Sequence, residues 1–436
     1  MAIIVSLIVG IVYILLFWSF IKKKNELFLK SLLIFVVFYD FIFINMSYSL
    51  NSGLVFLLKS WQEYFFLITS LFLLSKLISK GSIKKSKDNF IFLLLVLLSL
   101  YGVLIGIAAG KSIFDIFLSW RSYFLPLFLV ILIAKSNRLQ NISFLRINRF
   151  ILFLGIIVVG YSIVQFQSFN GSLSSLWFYQ YFDTLIEGSI DKSYYNFLRE
   201  GRLRATSVYV SPLIYSMMAG MFFLMAFYNL ILKSGIVKKV PYLFLLVFFG
   251  YGLYLSNARI GLVMLGVGII CGMLVYLFPR VRLSIVLMVP LSAIILTFIL
   301  LVFGIIGDLS ALGRLKQYLD LLMFFNPVGY GLADGRVVTL YDSWYISVLF
   351  LFGVLAVFYI YIHFYLFNTS LDAVKMNHVS LSKKIMRFST FSYAFSFIFI
   401  FAFQYTIGGP TLLMLYILIH LINVDTKHKL CNQIGT

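Results

Sequence analysis

Three arginines, Arg204, Arg259 and Arg314, each stand where an apolar segment of the chain ends. A guanidinium stays charged at any physiological pH and is costly in or near hydrocarbon, so such a residue usually has a partner or a task. Three on one face are the chemistry of a phosphate or diphosphate site, because the planar fork of N–H donors grips such oxygens in pairs. The carboxylates that could work beside them are Asp342, Glu200 and Asp334, any of which could orient or deprotonate a hydroxyl. Asp342 is the best placed, at the end of a long connection beside Ser343 and Trp344. The histidines, His363, His378, His420 and His428, all map to the other face, so no imidazole is expected there as base or metal ligand. Cys271 and Cys431 match no metal-ligand spacing, and no metal site is expected.

The elements that must position these residues are membrane helices. Of 436 residues, 62% are hydrophobic and only 11% charged, which leaves too little polar surface to cover a soluble body of that size. Apolar runs of about 17–25 residues recur along the whole length, as helical crossing of a bilayer requires. They predict an all-α, polytopic integral membrane protein with about 12–14 transmembrane helices, forming a single integral membrane domain over residues 1–436. Ser31–Leu50, Phe114–Ala134 and Trp344–Phe367 are among the expected crossings.

Charge orients the bundle. Alternate connections carry Lys22–Lys30, Lys76–Lys87, Lys135–Arg149, Lys233–Lys239, Arg280–Arg282, Lys375–Arg387 and Lys427–Lys429, and hold 24 of the 35 basic residues with only four acids. The positive-inside rule makes them cytoplasmic. The spans and the other connections keep eleven bases and eleven acids, so the formal net charge of +20 belongs to one face. It reports topology and attraction to anionic membrane lipids, and no nucleic-acid partner is expected.

Two outer connections are long, about 167–207 and 307–343, and both are rich in aliphatic and aromatic residues. Each is expected to hold a short interfacial helix. In Leu309–Phe325, Arg314, Gln317 and Asp320 recur every third residue, and in Leu173–Ile186 the aromatic side includes Trp177, Phe178, Tyr181 and Phe182. Arg204 leads into a crossing that opens with Pro212, whose missing N–H costs nothing in a first helical turn. Arg259 stands in the tight turn Ser256-Asn257-Ala258-Arg259 between two crossings. Asp40 lies inside the second crossing, where the favoured expectation is an interhelical hydrogen bond.

These motifs carry a resemblance. Arg204-Ala205-Thr206-Ser207, with fifteen residues between Arg204 and Gly220, resembles the R-x15-G feature of Wzy-type O-antigen and capsular polysaccharide polymerases. Ser256-Asn257-Ala258-Arg259-Ile260-Gly261 is similar to the S-x-A/S-R-G/T turn of the wider O-antigen polymerase and ligase superfamily. Asn326-Pro327-Val328-Gly329-Tyr330-Gly331, then Asp342-Ser343-Trp344-Tyr345 and Gly353, resembles the end of that superfamily's second outer loop. The likeness is strongest over Arg202–Gly353, and it has two departures. Asp342-Ser343 stands where the ligases carry a histidine, which favours polymerase over ligase, and Gly331 falls one residue late for a second R-x15-G after Arg314.

The resemblance implies a glycosyltransferase of the bacterial inner membrane. Its substrate would be an oligosaccharide on undecaprenyl diphosphate, its lipid surroundings the outer leaflet, and a further partner a chain-length regulator protein. Arg204, Arg259 and Arg314 would stabilise the diphosphate leaving group, and Asp342, Glu200 or Asp334 would serve the attacking hydroxyl, with no cofactor. The competing expectations are a flippase or transporter of lipid-linked oligosaccharide, which does no bond chemistry, and a ligase.

Overall fold

The computed structural model describes residues 2–434 except 49, 51, 81–86, 137, 180–196, 200, 304–308, 335–342, 377–378 and 405–408. Helices α1 (Ala2–Ile21), α2 (Asn25–Val37), α3 (Tyr39–Ser47), α4 (Ser52–Lys59), α5 (Trp61–Lys80) and α6 (Lys87–Ala108) come first. They are followed by α7 (Ile113–Tyr123), α8 (Leu125–Lys135) and α9 (Phe144–Gln167). The first long connection holds a 3-10 turn, Leu173–Ser175, and a hairpin of β1 (Leu198–Arg199) and β2 (Arg202–Leu203). Beyond it lie α10 (Pro212–Leu232), α11 (Ile236–Ser256), α12 (Arg259–Leu277) and α13 (Leu283–Val302). The chain continues with α14 (Leu309–Phe324), α15 (Trp344–Phe352), α16 (Ala356–Lys375), α17 (Leu381–Phe403) and α18 (Pro410–Ile434).

Eight stretches among the described residues are long and apolar enough to cross a bilayer, and two bent helix pairs raise this to ten if each pair makes one crossing. Gly10–Ile21 and Pro410–Asn423 are shorter apolar helices. The protein is therefore an all-α, multi-pass membrane protein. At its centre stands α17, in which every residue from Ile385 to Phe403 is buried. At the rim, only 11% of Leu283–Leu300 is buried, and in α11 only Phe249, Gly252, Leu253, Leu255 and Ser256 are, which leaves most of α13 and α11 facing lipid.

Small and polar side chains set the helix register, since lipid gives apolar faces no reason to prefer one another. Along α9 and α10, Asn148 bonds Asn229 at 3.2 Å and Ser162 meets the Tyr215 hydroxyl at 2.6 Å. Midway, Gly155 leaves room for Phe222, whose ring would lie 2.7 Å from any Cβ placed there. These three contacts recur every seven residues along antiparallel helices, two turns apart. A second meeting point joins α10, α12 and α17, where Tyr228 and Ser392 share a 2.6 Å hydrogen bond in the space left by Gly272.

Three expected crossings are not continuous helices. The second is broken at Phe38, where α2 and α3 meet at 65°, and the fifth between Tyr123 and Leu125, where α7 and α8 meet at 52°. In the third case the chain folds back. A straight helix would hold residues 344 and 363 about 28 Å apart at 1.5 Å per residue. Instead the Trp344 ring lies 4.7 Å from that of His363, and Phe352 lies 5.5 Å from Tyr359. So α15 and α16 form a hairpin, and only α16, at 20 residues, is long enough to cross. The corner is Gly353, at φ 56° and ψ −132°, with the Pro327 carbonyl packed where a side chain would begin. Few residues but glycine adopt that backbone.

Candidate functional site

The end of the first long connection is fixed from both sides. Gly201, at φ 74°, turns the hairpin so that Leu198 pairs with Leu203, and Arg204 N–H donates to the Phe197 carbonyl at 2.7 Å. The next residue leaves the hairpin: Ala205 N–H donates to the Leu255 carbonyl, 3.0 Å away at the end of α11. Arg204 is thereby brought to the backbone four positions before Arg259. Between them Asn257 closes α11 in the left-handed region (φ 44°, ψ 34°), and the Ser256 hydroxyl accepts from Ala258 N–H at 3.3 Å. Arg259 is then the first residue of α12, exposed, where the helix dipole favours an anion.

Behind Arg204 lies a side chain that sequence reasoning overlooked. The Gln165 carboxamide oxygen accepts from Thr206 N–H and Ser207 N–H, each at 2.9 Å, and its nitrogen donates to the Thr206 hydroxyl at 3.0 Å. These bonds hold Ser207 at φ 56°, a conformation that costs a non-glycine residue about 1–2 kcal/mol. The Trp177 indole N–H donates to the Ser207 carbonyl at 2.8 Å and adds a third tie. The available signal was a glutamine in the last turn of an otherwise apolar crossing. After this turn Ser211 caps α10, accepting from Leu213 N–H at 3.3 Å, with Pro212 at its first position.

The second long connection returns to the same end of the bundle. Here α14 forms over Leu309–Phe324, one residue short of the expected interfacial helix. Tyr318 pins it: its hydroxyl donates to the Ala402 carbonyl at 2.6 Å and lies 3.0 Å from the Ser343 hydroxyl, while its ring meets Phe298 at 5.0 Å. Ser343 caps α15 and donates to the Phe401 carbonyl at 3.2 Å. Arg314 stands one turn before Tyr318 on α14, and its side chain lies outside the described residues.

The register of α12 against α17 links this end to Arg259. Tyr276 packs on Phe388 at 5.9 Å, and Gly268 abuts the Ser392 carbonyl, so the two helices run antiparallel. Nine residues further toward the lysine-poor end, roughly 13 Å at 1.5 Å per residue, Arg259 comes level with Phe401. The lysine-poor end of α17 is thus approached by the start of α12 and by Tyr318 and Ser343.

Of the three carboxylates, Asp334 is the one that lies among the described residues. It is buried and pairs with Lys111 at 4.0 Å, just past the end of α6. Its neighbours are bonded to the same side: Leu332 N–H to the Gly102 carbonyl at 3.0 Å and Ala333 N–H to the Ser119 hydroxyl at 3.1 Å. Glu200 and Asp342 lie outside the described residues, as does half of the expected helix over Leu173–Ile186. One histidine is also displaced from expectation. His363 is buried in the interior, its ring 5.8 Å from Phe401 near the lysine-poor end of α17, because the reversal at Gly353 starts α16 higher than a single crossing would. Among the described residues, no three His, Cys, Asp or Glu side chains gather to hold a metal ion.

The hydrogen bond that Asp40 makes is not the expected interhelical one, because its donor is a backbone N–H in the loop before α10. Asp40 stands in the first turn of α3, just after the break, and its Oδ2 accepts from Val210 N–H at 3.3 Å. No family model matches the chain, and a search of curated proteins finds no match.

Proposed function

We propose that this protein polymerises lipid-linked oligosaccharide repeat units at the outer leaflet of a bacterial inner membrane. In the reaction the terminal sugar hydroxyl of one lipid-linked unit attacks the anomeric carbon of a glycan carried on undecaprenyl diphosphate. The new C–O bond forms as the old one breaks. The diphosphate leaves with the bonding electron pair, and the hydroxyl proton passes to a carboxylate. Arg204 and Arg259 face the developing charge on the diphosphate, with Arg314 as the third cation. Fixed donors of this kind act where water is scarce, and removing one costs on the order of 10²–10³ in rate. Asp342, next to the bonded Ser343, is the preferred base; the Lys111 pairing and burial of Asp334 argue against a role for that residue.

The observation that carries this reading is the Ala205–Leu255 hydrogen bond, which supports a shared site for two arginines 55 positions apart in the chain. Complementation of a deletion strain tests it, with surface glycan resolved by electrophoresis at matched membrane levels. The expected outcome is that the deletion leaves single-repeat glycan and that the wild type, but not Arg259→Ala, restores the ladder. Surface loss with lipid-linked polymer still accumulating would make the protein a ligase. Absence of outer-leaflet repeat units altogether would make it a flippase.

A further inference from the structure

The break between α2 and α3 sets Asp40 beside the end of the first long connection, and the residues around it have the chemistry of a sugar subsite. Asp40 is half-buried there. Its one hydrogen bond among the described residues is the long one from Val210 N–H, at 3.3 Å, and none of the described ion pairs includes it. A carboxylate offers about four acceptor positions, so most of its capacity is unused. The Lys59 ammonium attracts Asp40 only from beyond contact distance, and a carboxylate kept in a membrane segment without closer pairing is costly unless a ligand or water repays it.

The neighbours of Asp40 are aromatic. Phe41 lies 5.1 Å from Trp177 and 5.8 Å from Tyr161, and all three rings are half-buried, not enclosed. The Trp177 N–H is already bound to Ser207, which leaves its ring as the working surface. Tyr209, one residue before the donor to Asp40, is fully buried, and its hydroxyl has no described partner. Paired hydroxyls on a pyranose donate to one carboxylate, while its C–H face packs on aromatic rings. A simple cation would use the carboxylate but not the rings, and an acyl chain would use the rings but not the carboxylate.

We propose that Asp40, with Phe41, Tyr161 and Trp177, binds a sugar ring of the acceptor oligosaccharide and positions it against the arginines. The placement follows from the chain: Val210, bonded to Asp40, lies six residues after Arg204 on a segment held by Gln165. The role of Asp40 is positioning, and it rests on the polymerase reading for the identity of the ligand.

The test is equilibrium binding to the full-length protein in lipid nanodiscs, with two probes. One is the repeat-unit oligosaccharide released by mild acid from the lipid-linked pool of the deletion strain, titrated to millimolar concentration. The other is undecaprenyl diphosphate without sugar. Asp40→Asn keeps the shape and an acceptor for Val210 N–H but loses the charge, and is expected to weaken oligosaccharide binding about tenfold, or roughly 1.4 kcal/mol, with the diphosphate lipid bound as before. Phe41→Leu is expected to do the same without touching any charge, and serves where Asp40→Asn fails to fold. Wild-type oligosaccharide affinity in both variants would overturn the proposal, as would equal loss of both probes in a folded variant. A wild type that binds the diphosphate lipid but no oligosaccharide overturns the subsite and leaves the polymerase reading standing. One that binds neither overturns both.

Discussion

At the scale of single residues, the arginines and the side chains behind them call for different substitutions. Arg204→Lys retains the charge and loses the planar fork, so polymer yield is expected to fall by at least tenfold at normal membrane expression. Glycan electrophoresis at matched protein level checks this, and wild-type yield would remove Arg204 from the site. Gln165→Leu is close in volume but abandons two backbone N–H groups and a hydroxyl in a buried turn. Each buried group left unpaired costs about 1–3 kcal/mol, so a lowered thermal midpoint and a loss of activity should appear together. Arg204 and Arg259 stood out in the sequence because a charge among apolar residues demands a reason. Gln165 did not, because an amide near the end of a crossing looks the same whether it meets water or a strained turn. Nor could the pairing of Asp334 with Lys111 be read, since it joins residues 223 positions apart.

Elements were legible where composition changes and illegible where it does not. The ends of α10 and α11 follow apolar runs closed by Lys233 and Asn257, and the amphipathic pattern of α14 marked it correctly to within a residue. The α15–α16 hairpin was hidden, because both arms are apolar and no polar residue interrupts Trp344–Phe364 except Ser347 and His363. Only Gly353 hints at the corner. Gly353→Ala would force a side chain into a backbone that favours glycine and against the Pro327 carbonyl. It is expected to destabilise by several kcal/mol or to prevent accumulation in the membrane. Gly272→Ala should also lower the melting temperature in detergent, because its methyl displaces the Tyr228–Ser392 pair. Gly266→Ala is the control, with open space around the added methyl and little change expected. Equal midpoints for the two variants would show that α10, α12 and α17 do not pack at Gly272 as described.

For the whole molecule, orientation came from charge alone. A membrane-impermeant thiol reagent offers the check, in a background carrying Cys431→Ser, with Cys271 buried. A cysteine replacing exposed Lys316 is expected to label in intact cells, and one replacing exposed Lys238 only after permeabilisation. The reverse pattern would turn the bundle over and put the arginines on the cytoplasmic side. What the sequence concealed at this scale is the radial order of the helices. α17 and α13 read alike as apolar segments, yet one is wholly enclosed and the other almost bare to lipid.

That radial order bears on how the protein is made. The enclosed helix α17 follows α9, α10, α12, α13 and α16 in the chain, so these enter the membrane before the core they will surround has been synthesised. Until it arrives, the Tyr228 hydroxyl lacks Ser392 and the Tyr318 hydroxyl lacks the Ala402 carbonyl. The early helices must therefore wait as a loose ring, open enough to admit one more. A ribosome stalled before residue 381 would leave an assembly with its helices inserted and its centre unfilled, and such a species is a natural substrate for membrane quality control.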